Sequence, residues 1–257
     1  MKIAVSGKGG VGKSTVAASI ALIMAQRGQR VLALDADPDA NLAAALGIPG
    51  AVKITPVSAE IALIEERTGA KVNEYGKVFK LNPEVSDVAE KLAIKHNGVE
   101  LIVLGAIKKG GGGCACPEST FIKALVTDLV LYKNEVLIMD MEAGIEHLGR
   151  GTAVGVDVML IVVEPGQRAL DCAGTVIRMS REIGIGNFVI VGNKITCDKD
   201  KDFIKSGLDL EVTNFLPYSE SIRGADRDGV PALAGMTDGE RAVIEGLIDR
   251  ILKVKKA

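Results

Sequence analysis

The chain has 257 residues, of which 47% are hydrophobic and 25% are charged, as in a globular protein that buries a full core. Its formal net charge is -2, it has no tryptophan, and only 3% of its residues are aromatic. These values argue against a broad phosphate-binding face or an aromatic stacking platform, so we expect no nucleic-acid partner.

The start of the chain reaches glycine without the apolar segment of a signal peptide, and no run of about 18 apolar residues occurs later. We therefore expect a cytoplasmic protein. In that reducing compartment cysteines are thiols or metal ligands before they are disulfides. The chain has four of them, Cys114, Cys116, Cys172 and Cys197.

Six short apolar segments alternate with stretches of helix length along the chain. Uniform apolar character is typical of strands that are buried on both faces, so the alternation predicts an α/β fold with a doubly wound, mostly parallel sheet flanked by helices. In such sheets ligands bind beyond the carboxyl ends of the strands. The predicted strands are residues 2–6, 30–35, 100–105, 135–140, 158–164 and 188–193.

Residues 51–99 are less regular than the rest of the chain. Helices are predicted near Ala59–Glu66 and Val85–His96. Because no linker rich in proline or serine isolates this region, we expect an insertion within a single domain that spans residues 1–257.

The C-terminal sequence, ERAVIEGLIDRILKVKK, predicts an amphipathic helix. We expect its apolar stripe to pack on the sheet. The alternative is a reversible membrane anchor, assisted by Lys253, Lys255 and Lys256. The stripe consists of Val243, Ile244, Leu247, Ile248, Ile251 and Leu252.

A phosphate-binding motif follows the first predicted strand. Residues 7–14, GKGGVGKS, match G-x-x-x-x-G-K-[ST] and lie between a strand and a helix, as the motif requires. Backbone N–H groups of such a loop and the start of its helix bind phosphate oxygens. Lys13 would reach the β- and γ-phosphates and Ser14 would bind Mg²⁺. The predicted nucleotide-binding residues of the loop are Gly9, Gly10, Val11, Gly12, Lys13, Ser14 and, at the α-phosphate, Thr15.

Lys8 is a second lysine in this loop, five residues before Lys13. The sequence KGGVGKST resembles the deviant phosphate loop of the nitrogenase-iron-protein and septum-site (MinD/ParA) superfamily. The resemblance implies a homodimer in which Lys8 reaches across to the partner's phosphates, a catalytic part similar to an arginine finger supplied in trans. A solvated loop lysine is the alternative.

Carboxylates follow two of the predicted strands. Asp37 and Asp39 lie in DADPDAN, and Asp140 ends EVLIMD. By the same resemblance, Asp37 would orient the attacking water and Asp140 would be the Walker-B carboxylate near Mg²⁺, although either could instead cap a helix. Gly144 of DMEAG would be the second-switch glycine that faces the γ-phosphate, with Glu142 where many relatives have proline.

The base site is predicted from two segments. Asn193 begins NKIT, which resembles the GTPase element NKxD but has Thr196 in place of the aspartate that reads guanine. Asn193 could accept a hydrogen bond from the adenine amino group, or it could simply end a strand. Residues 215–220, FLPYSE, resemble the segment that lines adenine in this superfamily and include Pro217. We therefore expect ATP and ADP as ligands.

Cys114 and Cys116 stand one residue apart behind four glycines. In extended chain their side chains project to the same side, so both thiolates can approach one ion. Two sulfurs supply half of a four-coordinate zinc or nickel site, and a twofold dimer would supply the other half. Small apolar fillers or a local disulfide are the alternatives.

Four segments, KGGVGKST, DADPDAN, GGGGCACPE and DMEAGIEHLGRGT, together resemble the CooC-type maturation ATPases over nearly the whole chain. The resemblance implies an ATP-hydrolysing homodimer that binds nickel (or zinc) and supplies nickel to apo carbon monoxide dehydrogenase. Two alternatives are a membrane- or chromosome-positioning ATPase of the MinD/ParA kind and an electron-transfer protein with a bridging iron–sulfur cluster. We expect Cys172 and Cys197 to be packing or incidental thiols, and His96 and His147 to be surface or second-switch residues, with a role as accessory metal ligands as the alternative for the two histidines.

Overall fold

A computed structural model describes residues 1–72, 78–106, 116–131, 135–142, 148, 153 and 155–256. The predicted site residues Cys114 and Gly144, together with His147, lie outside the described residues. All structural statements below concern the described part of the chain.

The described residues form one eight-stranded sheet. Its strands are β1 (Lys2–Ser6), β2 (Val31–Ala36), β3 (Ile94–His96), β4 (Val99–Val103), β5 (Val136–Met141), β6 (Val158–Val163), β7 (Phe188–Ile195) and β8 (Val212–Pro217). They lie in the order β3-β4-β2-β5-β1-β6-β7-β8, and every pair is parallel except β3 with β4. The predicted fold class is confirmed.

Helices flank this sheet and connect its parallel strands. They are α1 (Lys13–Gln26), α2 (Leu42–Ala45), α3 (Ile61–Thr68), α4 (Val88–Leu92), α5 (Pro117–Leu131), α6 (Gln167–Glu182), α7 (Asp198–Ser206), α8 (Glu220–Arg227) and α9 (Asp238–Lys256), with 3₁₀ turns at Val57–Ala59 and Ala232–Gly235. No helix within the described residues has both the length and the apolar composition that crossing a bilayer requires.

The central strand β1 lies at the point where the strand order reverses. Its neighbours are β5 on one side and β6 on the other. The crevice at the carboxyl ends of such strands is where doubly wound sheets bind ligands. All residues of β1, β2, β5 and β6 are buried, so the sheet gives this crevice a rigid base.

The helix predicted near Val85–His96 is wrong over its second half. Helix α4 ends at Leu92, and the chain then forms β3, which pairs antiparallel with β4. The physical reason is the turn between them, where Asn97 (φ 49°) and Gly98 (φ 80°) both adopt left-handed conformations. An Asn-Gly pair of this kind closes a two-residue hairpin, which outweighs the local helical pattern.

The apolar pattern does not predict strand β8, although FLPYSE overlaps its end. This strand lies at the edge of the sheet, and only two of its six residues, Val212 and Leu216, are buried. A search for uniformly apolar segments therefore misses it.

The C-terminal helix α9 packs on the protein, as predicted. Ile244, Leu247, Ile248 and Ile251 of its stripe are at most 1% exposed, and Val243 and Leu252 pack against the same core. The apolar face that a membrane anchor would need is covered.

Candidate functional site

The phosphate loop joins β1 to α1 through glycines that no other residue could replace without strain. Gly7 has φ 149°, and a β-carbon there would overlap the carbonyl oxygen of Val162 on β6. Gly12 has φ 94°, and a β-carbon there would overlap the Asn193 amide. The loop therefore packs closely against the ends of β6 and β7. The free N–H groups of the first turn of α1 then face the crevice.

Lys13 begins α1 and is almost fully buried, with its side chain 5% exposed. Its Nζ lies 3.8 Å from Oδ2 of Asp37, so the predicted phosphate-binding cation faces the carboxylate that is predicted to orient water. The other oxygen of Asp37, Oδ1, accepts a hydrogen bond from the N–H of Asp39 at 3.0 Å. Both predicted residues therefore reach the same crevice.

Asp35, the first residue of DADPDAN and one for which the sequence predicted no role, organises the turn that carries Asp37. Its side chain is fully buried at the end of β2. Oδ1 accepts a hydrogen bond from the N–H of Asp37 at 3.2 Å, and Oδ2 accepts one from the N–H of Leu42 at 3.0 Å. One carboxylate thus ties together both ends of residues 37–42. A charged residue inside a strand that is otherwise apolar was the available signal.

Asp140 lies opposite Asp35 in the register of β5 against β2. Burial, followed by the charge of Asp140, raises the pKa of Asp35 to about 7. Burial likewise raises the pKa of Asp140 to about 6, although the Ser14 hydroxyl and Lys13 act in the opposite direction. Two buried carboxylates therefore lie on neighbouring strands at the same level of the sheet, next to the phosphate loop.

The oxygens of Asp140 suit a magnesium site. Both are buried, and neither has a hydrogen-bond partner of ordinary geometry among the described residues. A buried carboxylate without donors is costly unless a cation joins it. The hydroxyl of Ser14 is close enough to affect its pKa, and oxygen donors of these two kinds are the ligands that Mg²⁺ prefers. The residues present therefore fit the ion.

A cleft of about 580 Å³ opens over the loop and has the size of a ligand pocket. Its polar end is formed by the phosphate loop, Asp37 and Asp39, and its other end lies between α2 and α8. Of the predicted residues, Gly9, Gly10, Gly12, Lys13, Ser14, Thr15, Asp37, Asn193 and Pro217 line it. Val11 does not, because its side chain is fully buried.

Several cleft residues lie outside the predicted motifs. Ala44 and Ala45 come from α2, and Ile222, Arg223 and Asp226 come from α8. Ala44, Ala45 and Ile222 are small or apolar, as the lining of a site for a flat base would be. These short helices carry no motif, so only the tertiary structure identifies them.

Asn193 faces the loop backbone in the structure. Its Nδ2 donates to the carbonyl of Val11 at 2.7 Å, and its Oδ1 accepts from the N–H of Lys194 at 2.9 Å. Thr196 does not line the cleft, and its hydroxyl donates instead to Asp200 at 2.6 Å near the start of α7. The comparison of Thr196 with a guanine-reading aspartate stays a prediction, as does the preference for ATP. A base contact by Asn193 stays a prediction.

Lys8 lies at the rim of the site, with its side chain 37% exposed. Its Nζ is 3.5 Å from Oε1 of Glu164 and 3.5 Å from the carbonyl of Gly9. No described carboxylate other than Glu164 lies within ion-pair distance of Lys8. The structure therefore has Lys8 directed to a residue of its own subunit.

Cys116 immediately precedes α5 and caps it. Its Sγ accepts from the N–H of Ser119 at 3.4 Å, and its carbonyl accepts from the N–H of Thr120 at 3.0 Å. Because α5 connects the parallel strands β4 and β5, its first turn lies at the carboxyl edge of the sheet, the edge that also carries the phosphate loop. Cys116 is a free, half-buried thiol.

Within the described residues, no group of three or more His, Cys, Asp or Glu side chains could hold an ion. Cys172 is half-buried in α6, and burial raises the pKa of its thiol. Cys197 is exposed beside α7, and His96 lies at the edge strand β3.

Comparison with known proteins agrees with this geometry. Residues 2–232 match the model of the CobQ/CobB/MinD/ParA nucleotide binding domain. The chain belongs to this CobQ/CobB/MinD/ParA family. The superfamily resemblance predicted from the phosphate loop is thereby confirmed, and nucleotide binding by a phosphate-loop domain is a property of the family.

Two members of the family are similar over nearly their whole length. An uncharacterized ATP-binding protein of Methanocaldococcus jannaschii is 41% identical, and the match covers 99% of each chain. The carbon monoxide dehydrogenase accessory protein CooC of Rhodospirillum rubrum is 38% identical, over 98% of this chain and 97% of that protein. The predicted resemblance to CooC-type proteins is confirmed.

Solved structures of the family share the fold. The MinD chain in a MinC:MinD cell division complex of Aquifex aeolicus superposes with a TM-score of 0.69 at 22% identity, covering 99% of this chain and 95% of that one. A ParA family ATPase of Chlorobium tepidum also gives 0.69, at 20% identity, with 96% and 97% covered.

Proposed function

We propose that this chain is a cytoplasmic, Mg²⁺-dependent ATPase that works as a homodimer, binds nickel through Cys114 and Cys116 of both subunits, and assists nickel insertion into apo carbon monoxide dehydrogenase. The observation that carries the proposal is the 38% identity, over 98% of the chain, to the carbon monoxide dehydrogenase accessory protein of Rhodospirillum rubrum. A match of that length includes the regions of the phosphate loop and of the C-x-C segment, which supports a shared activity.

The cleft supports ATP hydrolysis by positioning and charge. Lys13 is desolvated at the start of α1, where its charge would act on the transferring phosphoryl group without screening by water. Asp37, 3.8 Å from Lys13, is the acceptor that would orient the attacking water. Ser14 and Asp140 would hold Mg²⁺, which offsets phosphate charge when bound. Gly144 would face the γ-phosphate.

The lysine at the rim supports dimer formation. Lys8 is more exposed than Lys13 and does not line the cleft of its own subunit. A cation at that position is available to a second copy that approaches the open side of the cleft. In the dimer, each Lys8 would reach the partner's phosphates, so that hydrolysis would require two subunits.

The nickel proposal is supported by the position of Cys116. Its sulfur accepts a backbone N–H at the first turn of α5, where the helix dipole stabilises negative charge on a ligand such as a thiolate. Cys116 shares the edge of the sheet with the phosphate loop, and a dimer formed over that edge would bring two C-x-C segments together. Four sulfurs would then hold the nickel that is the protein's cargo.

Nucleotide and nickel would act on one equilibrium. Each ligand that prefers the closed dimer raises its population, and ATP hydrolysis lowers it again. Nickel would therefore be bound tightly in one nucleotide state and released to the dehydrogenase in another.

A membrane- or chromosome-positioning ATPase is the second candidate, because MinD and ParA chains have the same fold. The packing of α9 argues against it, since the apolar side chains that would enter a membrane, such as Ile244 and Ile251, are fully buried. Sedimentation with anionic liposomes and ATP separates the candidates. Cosedimentation that depends on ATP would favour the positioning function.

Activation of nickel-free carbon monoxide dehydrogenase tests the proposal. The nickel-loaded protein with ATP should restore activity faster than nickel salt alone, whereas Cys116→Ser and Lys13→Ala should not. Activation by either variant at the rate of the wild-type protein would contradict the proposal. Metal analysis of anaerobically purified protein, with its visible spectrum, distinguishes nickel from zinc and from a bridging iron–sulfur cluster, which would give a brown preparation.

A further inference from the structure

Glu164 makes contacts that neither nucleotide binding nor core packing accounts for. It follows β6 directly, and its side chain is 25% exposed. Its two oxygens contact two lysines, with Oε1 3.5 Å from Nζ of Lys8 and Oε2 3.1 Å from Nζ of Lys194. One carboxylate therefore bridges the phosphate loop and the end of β7.

Lys194 is held firmly in this bridge. Its Nζ donates to the carbonyl of Gly10 at 2.6 Å, and its backbone has φ 58°, a conformation uncommon for a residue with a β-carbon. The preceding Asn193 donates to the carbonyl of Val11 at 2.7 Å. These contacts fix Oε2 of Glu164 against Lys194 and leave Oε1 directed toward Lys8.

We propose that Glu164 is a positioning residue that holds Lys8 against its own subunit, and that this contact must open before Lys8 can reach the nucleotide of a partner. The inference rests on the proposed trans role of Lys8. It adds a contact within one subunit, the ion pair between Lys8 and Glu164, which is called the latch below. The latch opposes dimer formation, so that a subunit without nucleotide does not form a dimer.

The size of the effect follows from the exposure of the pair. Partly exposed ion pairs change an equilibrium by up to about fivefold each, and salt weakens them. A symmetric dimer opens two latches, so the total effect on its dissociation constant is up to about 25-fold. Neutralising Glu164 should therefore tighten the ATP-dependent dimer, most clearly at low ionic strength.

The test is the dimer dissociation constant measured by sedimentation with Mg²⁺ and a non-hydrolysable ATP analogue. Glu164→Gln should dimerise more tightly than wild type at low salt, by up to about 25-fold, and the difference should shrink at high salt. The double variant with Lys8→Ala and Glu164→Gln should have the same dimer dissociation constant as Lys8→Ala alone, or should be monomeric if Lys8→Ala is monomeric. Unchanged dimerisation of Glu164→Gln alone, or tightening that survives in the Lys8→Ala protein, overturns the latch.

Two controls check that Glu164 acts through Lys8. Glu182→Gln removes the same charge at the far end of α6, where the residue pairs loosely with Arg178, and should leave dimerisation at the wild-type value. ADP affinity of monomeric Glu164→Gln should stay within about twofold of wild type. A larger loss would mean that Glu164 supports the loop rather than latching Lys8, and would overturn the inference.

Failure of the inference and failure of the proposed function give different results. If wild type dimerises with the ATP analogue and Lys8→Ala does not, but Glu164→Gln matches wild type, only the latch is wrong. If wild type stays monomeric and Lys8→Ala behaves identically, the trans role of Lys8 is wrong and the latch falls with it.

Discussion

Asp35 and Asp140 lie opposite each other on the neighbouring parallel strands β2 and β5, both fully buried beneath the phosphate loop. Asp35 uses its oxygens to hold the backbone of residues 37 and 42, whereas neither oxygen of Asp140 has a hydrogen-bond partner of ordinary geometry among the described residues. The first carboxylate therefore shapes the turn that carries Asp37, and the second is available to a cation.

The pairing predicts how stability depends on pH. The pKa of Asp35 is about 7 in the folded chain against 3.8 when unperturbed, so between these values the folded state binds more protons than the unfolded state. Stability without Mg²⁺ or nucleotide should fall as pH rises through this window, and Asp35 should contribute on the order of 2 kcal/mol between about pH 5 and pH 8. Urea unfolding at several pH values measures it. Asp35→Asn should reduce the slope and leave the part that the raised pKa of Asp140 contributes, and parallel slopes for the two proteins would contradict the assignment.

Lys13→Ala should lower ATP turnover by about 100-fold or more. The reason is that no other buried cation adjoins the phosphate site among the described residues. Turnover measured as phosphate release tests this. Lys95→Ala is the matched control, since Lys95 is an exposed lysine on β3 that pairs with Glu100. Turnover by Lys13→Ala at the rate of the control would refute the role of Lys13.

Lys8→Ala should behave differently from Lys13→Ala. Because Lys8 lies at the rim and does not line its own cleft, the variant should bind ATP nearly as tightly as wild type and lose most of its turnover. Nucleotide titration and phosphate release on the same preparation separate the two effects. Wild-type turnover would show that no lysine is supplied in trans.

Asn193→Ala should weaken nucleotide binding about fivefold through the loop, since the variant leaves the carbonyl of Val11 without its donor. If the side chain acts only on the loop, ATP and inorganic tripolyphosphate should lose affinity equally. A loss confined to ATP would instead assign Asn193 to the base. Competition between ATP and GTP on wild type tests the expected preference for ATP.

The fold could be predicted from the sequence wherever burial alone decided the structure. Uniformly apolar strands such as Val158–Val163, and the glycine-rich loop at 7–14, have few alternatives in a doubly wound sheet. The prediction of a helix failed at Asn97-Gly98, where a tight turn makes the chain form a hairpin. The prediction also missed β8, because this edge strand has mixed polarity.

The candidate site was predicted to a similar extent. Lys13 was identified from the spacing of the phosphate-loop motif and Asp37 from the resemblance to the superfamily, and the cleft includes both. Asp35 and Glu164 were missed because each lies next to a residue far away in the sequence, Asp35 opposite Asp140 in the sheet and Glu164 beside Lys8. Pairing between distant strands cannot be read from a single chain without the structure.

Nickel stoichiometry of the purified dimer tests the shared-site proposal most directly. We expect one nickel per two chains, bound by Cys114 and Cys116 of both subunits. Cys116→Ser is a mild probe, because serine can keep the cap that Cys116 makes with Ser119, so α5 should stay folded. It should lose tight nickel binding and nickel-induced dimerisation while still binding ATP, and Cys172→Ser should change neither. One nickel per chain, held with full affinity by Cys116→Ser, would contradict the proposal.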